Sequence, residues 1–569
     1  MFPRLLTAFA APGARHALHV SAPNASDARL ATDEPAKDQP VAVFALGAAS
    51  ERDSAEEKSS RASPHMPGYD LEKAMPTCDF PLINSEPGST AIGAVARAVK
   101  PTGRLDQWLD VVVGWAGSPG FFLLVSSGLI AWAILGAVGY GSNTDWNVLI
   151  SDIQAIATYV LDSFLLRQQM AAHRDVLVAT AILRSRAETI QSMLQQVTLE
   201  RGVVGETRCT AVVHGNAGLP EDTRFGKAAK VLSDIAGHFC TIVLFWIGIG
   251  VWLAFGPSLS WSPAWQLYMN SSSSALMLFV FAFLCCVRKG HGEYVRICLD
   301  KIERTDEDLE LRLRRLTGDK QAHPTVLVPA PQVSRVERVI NYYADFVGSL
   351  VGVGFLLAVL VVWAALGPAF HFDATWWLLS GTYAGLIGMQ DGFVMRNTAA
   401  QFQRREAAEL ERLAEADLAR EAAAGAGTVI PPTATCSDVA SGRLRRIFGA
   451  ADRLALRASL AVGHACSHQY AVVASIIVLV ILVAAATALR WSLTGQLLCN
   501  VPPSIIESWM MLMVIQGHNE NDAQTRANLA AILDRRRILL ARVNCIGMSA
   551  CTPPPSNPLV AVEKCPVNV

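Results

Sequence analysis

Charge is scarce in this chain. Of 569 residues only 17% are Asp, Glu, Lys or Arg, where a soluble globular protein carries about 25%, and 51% are apolar. Eight runs of about 20 residues hold no Lys or Arg at all, too many to be the core of one soluble domain. A soluble enzyme is thereby excluded. A basic excess is also missing, since the net charge is −1, so there is no positive stripe to hold nucleic acid. The twelve cysteines form no CxxC spacing, which gives neither a zinc ribbon nor a disulfide framework. No phosphate-binding P-loop is present, and one HxxxH, His464 to His468, falls short of the several His clusters that a membrane oxidoreductase or desaturase needs. The run Leu5–Ala11 is short for a signal peptide.

What is present is an all-α polytopic membrane protein. The eight spans are approximately Pro119–Tyr140, Trp146–Leu166, Phe239–Phe255, Ala264–Val287, Val347–Leu366, Trp376–Met395, Tyr470–Leu489 and Cys499–Ile515. Each can cross as a helix, the one open structure that satisfies its own backbone in lipid. They fall into four close pairs, and only Arg490 lies in the short loops within pairs. Arg167, Arg174, Arg288, Lys289, Arg396, Arg404 and Arg405 follow the pairs directly, so the positive-inside rule puts both termini in the cytosol. Residues 1–100, rich in Ala, Ser, Pro and mixed charge, read as a disordered cytosolic tail. Residues 101–325 and 326–545 are two four-helix halves, and 546–569 a C-terminal tail. Helical stripes beyond Leu166 and after Ala407 carry the second helix of each pair into the cytosol as a stalk, and Gly425 with Pro431-Pro432 makes a linker before the last pair.

Internal similarity organises the chain. A small-Gly-polar triplet precedes each pair: Ala116-Gly117-Ser118, Ala236-Gly237-His238, Val347-Gly348-Ser349 and Val462-Gly463-His464. Fifteen residues after the glycine stand Trp132, Trp252 and Trp363, with Val478 in the fourth copy. Asp162-Ser-Phe-Leu-Leu-Arg167 is answered 229 residues later by Asp391-Gly-Phe-Val-Met-Arg396. Trp261-Ser262, Gln266 and Asn270 become Trp491-Ser492, Gln496 and Asn500. The pattern predicts four parallel two-helix repeats around a pseudo-fourfold path.

The first helices are plain and the second ones polar. Ser151, Gln154, Thr158 and Asp162 share an arc of about 80° over about 16 Å of helix. Aligned repeats stack as rings: Ser151, Asn270, Ser380 and Asn500; then Thr158, Met277, Ile387 and Glu507; then Asp162, Phe281, Asp391 and Met511. Asp152, Asp162, Asp391 and Glu507 are the acids inside the spans, with no basic partner there. Intramembrane carboxylates face protein or a water path, and beside oxygen donors they suit a hydrated divalent cation. Interfacial solvation is the competing reading for Asp162 and Asp391, and outer-mouth solvation for Asp152. His518 closes the eighth span and is a candidate inner-exit ligand. His464 and His468, His371 with Asp373, and Cys285-Cys286 with Met510, Met511 and Met513 are as readily solvated or packing residues.

Trp146-Asn-Val-Leu-Ile-Ser-Asp-Ile-Gln-Ala-Ile-Ala-Thr-Tyr-Val-Leu-Asp162, Leu183-Arg-Ser-Arg186, Trp265-Gln-Leu-Tyr-Met-Asn-Ser271, Cys499-Asn-Val-Pro-Pro-Ser-Ile-Ile-Glu507 and Gln516-Gly-His-Asn519 resemble the fungal low-affinity iron permease family over about residues 100–545. Val501 and Pro503 stand where that pattern has hydroxyl residues. The resemblance implies a plasma-membrane transporter of Fe(II), tolerant of copper and zinc, with metal ions and the bilayer as its partners and no cofactor. A broad divalent cation channel or permease is the alternative, and a non-transporting membrane scaffold or sensor a third. Channel or carrier action, coupling ion and oligomeric state stay open.

Overall fold

The computed structural model describes residues 17–23, 43–45, 103–139, 144–201, 220, 223–371, 374–423, 457 and 461–551. Asp373, the linker holding Gly425 and Pro431-Pro432, and the tail beyond residue 551 lie outside these residues. The elements are β1 (Leu18–Val20), β2 (Val43–Ala45), α1 (Arg104–Ala116), α2 (Pro119–Val138), α3 (Thr144–Arg201), α4 (Arg224–Ala236), α5 (Phe239–Phe255), α6 (Pro263–Thr317), β3 (Val326–Val328), α7 (Arg335–Val347), α8 (Leu350–Leu366), α9 (Ala374–Ala423), α10 (Gln469–Ala488) and α11 (Leu493–Cys551).

Two kinds of helix divide the work. The sequences of α2, α5, α8 and α10 are apolar on every side, the mark of a helix surrounded by lipid or protein. They bury little within the protein: Phe122 in α2, Ile242 in α5, Gly352 and Leu356 in α8. Leu124, Ile130, Leu244, Val361 and Val480 point outward and are more than half exposed. The other four, α3, α6, α9 and α11, contain 58, 55, 50 and 59 residues. At about 1.5 Å per residue each is more than twice as long as the hydrocarbon core is thick. They pack in a ring, α3 on α6, α6 on α11, α11 on α9 and α9 on α3. They are parallel, because the cross-bundle partners Ser151 with Asn270, Thr382 with Gln496 and Asp306 with Arg536 rise together along the chain.

Five of the predicted spans, Trp146–Leu166, Phe239–Phe255, Ala264–Val287, Trp376–Met395 and Cys499–Ile515, lie within helices, whereas Val347–Leu366 begins across the elbow between α7 and α8 and Pro119–Tyr140 and Tyr470–Leu489 run past the ends of α2 and α10. By length and composition five helices can cross a membrane, namely α2, α6, α8, α10 and α11, or six if α4 and α5, bent by 55° at their junction, count as one span. The α5 helix, at 17 residues, is short for a crossing by itself.

Each peripheral helix is entered through a tight elbow. Gly117, Gly237 and Gly348 end α1, α4 and α7, and Ser118, His238 and Ser349 then cap α2, α5 and α8 by accepting from the N–H groups of Phe121, Cys240 and Gly352. The glycines keep right-handed backbone, with φ of −82°, −81° and −77°, so the turn itself does not demand them. Close approach does. A Cβ on Gly237 would lie 3.1 Å from the Gln516 Cα, and one on Gly117 3.1 Å from the Cys285 carbonyl. The fourth elbow corrects the predicted register. Residues 461–466 are helical and the turn falls at Ser467 and His468, whose imidazole accepts from the Tyr470 N–H. The elbow is thus Cys466-Ser467-His468, four residues past the triplet predicted at Gly463, and Leu482 rather than Val478 occupies the position of the tryptophans. Gly463 instead makes room for Arg396, whose Nη2 would be 3.2 Å from its Cβ.

The tryptophan and Trp-Ser-Gln motifs build the opposite ends of the hairpins. Trp252 stacks on Trp265 at 3.9 Å and Trp363 on Trp376 at 4.2 Å, the second pair exchanging indole-to-carbonyl hydrogen bonds of 3.2 and 3.0 Å. Ser260-Trp261 and Arg490-Trp491 are left-handed, with φ between 52° and 54°, a costly conformation for residues with side chains. Gln266 and Gln496 hold these turns by donating to the Trp261 and Trp491 carbonyls at 3.2 and 3.1 Å.

The expectation of an all-α chain departs from the structure at one small sheet, two strands of which lie within the first hundred residues. β1 pairs antiparallel with both β2 and β3, and the sheet is pinned to the bundle by Ala22 N–H to Ser185 Oγ at 2.9 Å and Arg186 to the Pro23 carbonyl at 3.2 Å. Below it the bundle interior is charged. Arg186 lies 3.1 Å from Glu310 and 3.8 Å from Glu303, and Arg536 bridges Asp306 and Asp417, all of them no more than 3% exposed.

The elbows predict a clear mutational contrast. Gly237→Val should lower the thermal midpoint of the purified protein by several degrees, since overpacking costs about 1–3 kcal/mol. Gly250→Val, where a Cβ meets nothing within 4 Å, should leave it unchanged; both are read by fluorescence-detected unfolding in detergent.

Candidate metal path

The four long helices enclose a cavity of about 30 Å³ within the membrane-spanning part, room for about one water molecule. It is lined by Thr158, Tyr159 and Asp162 of α3, Ser274 and Met277 of α6, Gly381, Gly385 and Gly388 of α9, and Asn500, Ser504 and Glu507 of α11. One sequence device makes this geometry: Gly381, Gly385 and Gly388 fall on one face of α9 and let α11 approach its backbone. A Cβ on Gly388 would sit 2.5 Å from both Glu507 oxygens, and one on Gly381 2.7 Å from the Asn500 Nδ2.

The predicted polar stripe faces inward. At its far end Asn270 donates to Ser151 at 2.6 Å, and the Ser151 and Ser274 hydroxyls are 3.5 Å apart. Asp152, expected near the mouth, is brought into the bundle, 3% exposed and facing Gly381, whose Cβ would be 3.4 Å from its carboxylate. Ser380 is turned back on the Trp377 carbonyl at 3.0 Å. In the middle ring Ile387 gives way to Gly388 as the lining residue. In the third ring Asp162 and Asp391 are direct electrostatic neighbours, and Asp391 also acts on Glu507. All three are buried. Both Asp162 oxygens, one Asp391 oxygen and one Asp152 oxygen have no hydrogen-bond partner among the described residues. The Tyr343 hydroxyl, on α7, donates to Asp391 at 2.5 Å.

In α11, Pro502 and Pro503 interrupt the ladder, so the carbonyls of Leu498 and Cys499 lose their usual helical donors. The helix nevertheless stays continuous, with Ser504 and Ser508 donating back to the Asn500 and Ser504 carbonyls at 2.7 and 2.8 Å. Below the carboxylates the axis is closed by apolar side chains. Phe281, Leu284, Leu165, Met395, Met511 and Ile515 are all fully buried in one cluster.

The structure separates the other candidates from this site. His518 lies three turns along α11 from Glu507, about 16 Å, with its ring 5.3 Å from that of His291. Burial, then the neighbouring His291 and Arg288, hold its pKa well below that of an ordinary histidine. His371 is exposed in a turn, His464 is exposed, and His468 is a helix cap. Cys285 donates to the Leu161 carbonyl at 3.9 Å, and Met510, Met511 and Met513 are buried packing residues. Among the described residues no three His, Cys, Asp or Glu side chains come together as a ready-made chelate. Residues missed by the sequence reading are Tyr159, which meets Tyr383 edge-on at 5.9 Å, Tyr343, Ser504 and the glycine face of α9. The glycine spacing was the available signal; nothing local marks Tyr343.

A family model described as low affinity iron permease matches residues 225–315 and 455–553, which take in α4 to α6 and α10 to α11. The low-affinity iron/zinc ion transport protein of Schizosaccharomyces pombe is 33% identical over 445 residues, 78% of this chain and 72% of the relative. The chain belongs to the low-affinity iron permease family. The low-affinity Fe(2+) transport protein of Saccharomyces cerevisiae is 31% identical over 476 residues, 78% of this chain and 83% of that protein. No solved structure matches. With these relatives and its apolar helices the chain is a multi-pass membrane transport protein and not an enzyme. Ser274, Met277, Asn500, Ser504 and Glu507, all lining the cavity, fall in the segments matched by the family model.

The Asp391 environment is testable by stability. Tyr343→Phe removes a donor from a buried carboxylate, which costs about 1–3 kcal/mol, and should lower the thermal midpoint by several degrees; Tyr342→Phe, on the next position of α7, should not.

Proposed function

We propose that this permease carries Fe²⁺ with low affinity across the plasma membrane into the cytosol, along the axis of the four long helices, with zinc and copper tolerated. In this reading all eight spans cross, as four parallel hairpins with both termini and the long helix extensions in the cytosol. The observation that carries it is the group of buried acids, Asp162, Asp391 and Glu507, side by side with no Lys or Arg among the cavity-lining residues. Adjacent carboxylates out of water are neutralised by a proton or by a counter-charge, and in this reading a divalent cation is the counter-charge that displaces the proton. Asp152, Asn270 and Asn500 would pass the ion inward from the outer end, and Thr158, Ser274 and Ser504 would replace part of its water. A membrane potential of 100 mV favours entry of a divalent ion by about 4.6 kcal/mol, twice the value for one charge, so no coupling ion is needed in principle. The relatives' names supply iron and zinc; copper rests on the resemblance of the motifs.

A second reading, a divalent cation channel or permease with no special place for iron, is favoured by the lack of a three-ligand chelate among the described residues, since selectivity among these metals follows ligand type and geometry.

Uptake of radioactive iron in cells lacking their own iron transporters tests the first reading. Asp162→Ala, Asp391→Ala and Glu507→Ala should each reduce uptake at least tenfold at unchanged surface expression, and full uptake in all three would remove the carboxylate path. Gly388→Ala, which displaces the Glu507 carboxylate, should reduce uptake several-fold with expression retained. Equal competition by zinc, copper and manganese would favour the second reading.

A further inference from the structure

A second cavity, of about 350 Å³, lies away from the path at the level of the elbows. Its walls come from the first elbow, Gly117 and Pro119, from Phe225 and Ala229 of α4, and from α6 and α11, and they are largely apolar. Three basic side chains line it, Lys230 of α4, Lys289 of α6 and Arg526 of α11. The acids in the lining are largely engaged. Asp522 accepts two bonds from Arg526, at 2.8 and 2.9 Å, and one from His291 at 2.5 Å. Glu293 accepts two from Arg296, at 2.6 and 3.1 Å, and Asp234 lies beside Lys230. The ammonium of Lys289 donates to the Gly114 carbonyl at 2.6 Å and forms no ion pair among the described residues. Lys230 is 3.7 Å from Asp522, itself already satisfied, and its side chain is half exposed.

The helix that roofs the cavity has the character of a membrane-surface helix. Arg224, Lys227 and Lys230 are exposed at every third position of α4, and Val231 and Ile235 are each 59% exposed. Basic residues beside outward apolar ones suit the boundary between headgroups and acyl chains. The elbows set that depth, since the apolar helices α2 and α5 begin there.

We propose that this cavity binds the headgroup of an anionic phospholipid from the leaflet at the elbow end of the bundle. Lys230 and Lys289 take the phosphate, and the apolar walls take the first methylenes of the chains; the volume suits a headgroup rather than a whole lipid. Anionic lipids are concentrated in the cytosolic leaflet and basic pockets between helices on that side hold them, so the site rests on the orientation proposed above but not on the metal path. The full-length protein in detergent is incubated with phosphatidylserine or phosphatidylcholine and examined by native mass spectrometry. Phosphatidylserine should be retained preferentially, and Lys230→Gln with Lys289→Gln should reduce its retention about tenfold at an unchanged thermal midpoint. Arg224→Gln with Lys227→Gln, on the same helix but away from the cavity floor, should leave retention intact. Equal retention of the two lipids, equal loss in both double variants, or displacement by soluble glycerol phosphate at matched concentration would each overturn the assignment.

Discussion

A carboxylate taken out of water must hold a proton or find a counter-charge, and three of them stand at the centre of this bundle. Asp162, Asp391 and Glu507 are enclosed by four long helices, and four apolar helices lie outside those. The glycine face of α9 lets Glu507 reach the axis. The Tyr343 hydroxyl holds Asp391, and a layer of Phe281, Leu284 and Met511 keeps water from the other side.

Much of this was legible in the chain. The apolar runs are helical over most of their length because a run free of Lys and Arg has few alternatives, and the inward stripe of α3 followed from helical periodicity. The Trp-Ser-Gln motif turned out to be a locked turn and the recurring tryptophans a clamp, both local enough to recur with their residues. The fourth elbow was misplaced by four residues because glycine was read as a turn signal. Its job is close approach, and Ser467 serves where approach is not needed. Asp152 was read as an outer-mouth acid because it stands near the outer end of its span; the Gly381 that it faces belongs to another helix.

What could not be read is non-local. β1 pairs with β3 across about three hundred residues, a partnership no window detects. The order of the ring, α3, α6, α11, α9, differs from chain order, and only contacts between distant segments reveal it. The charged layer of Arg186, Arg420 and Arg536 lies in segments read as plain stalks, yet it is buried, with Arg186 and Arg536 paired across helices and Arg420 paired with Asp417 of its own helix. Such buried pairs commonly select one register rather than add stability, which suits helices long enough to slide by a turn.

That ring order has a mechanical meaning. The first half of the chain contributes α3 and α6 and the second α9 and α11, and the two faces between halves, α3 on α9 and α6 on α11, are built along helices of 50 to 59 residues. The halves are therefore spliced rather than hinged. Rocking one against the other would shear both seams and tear the Arg536 bridge between Asp306 of one half and Asp417 of the other. Along the proposed path, an opening that leaves this shaft whole would be local, a change of side chains and turns near the acids.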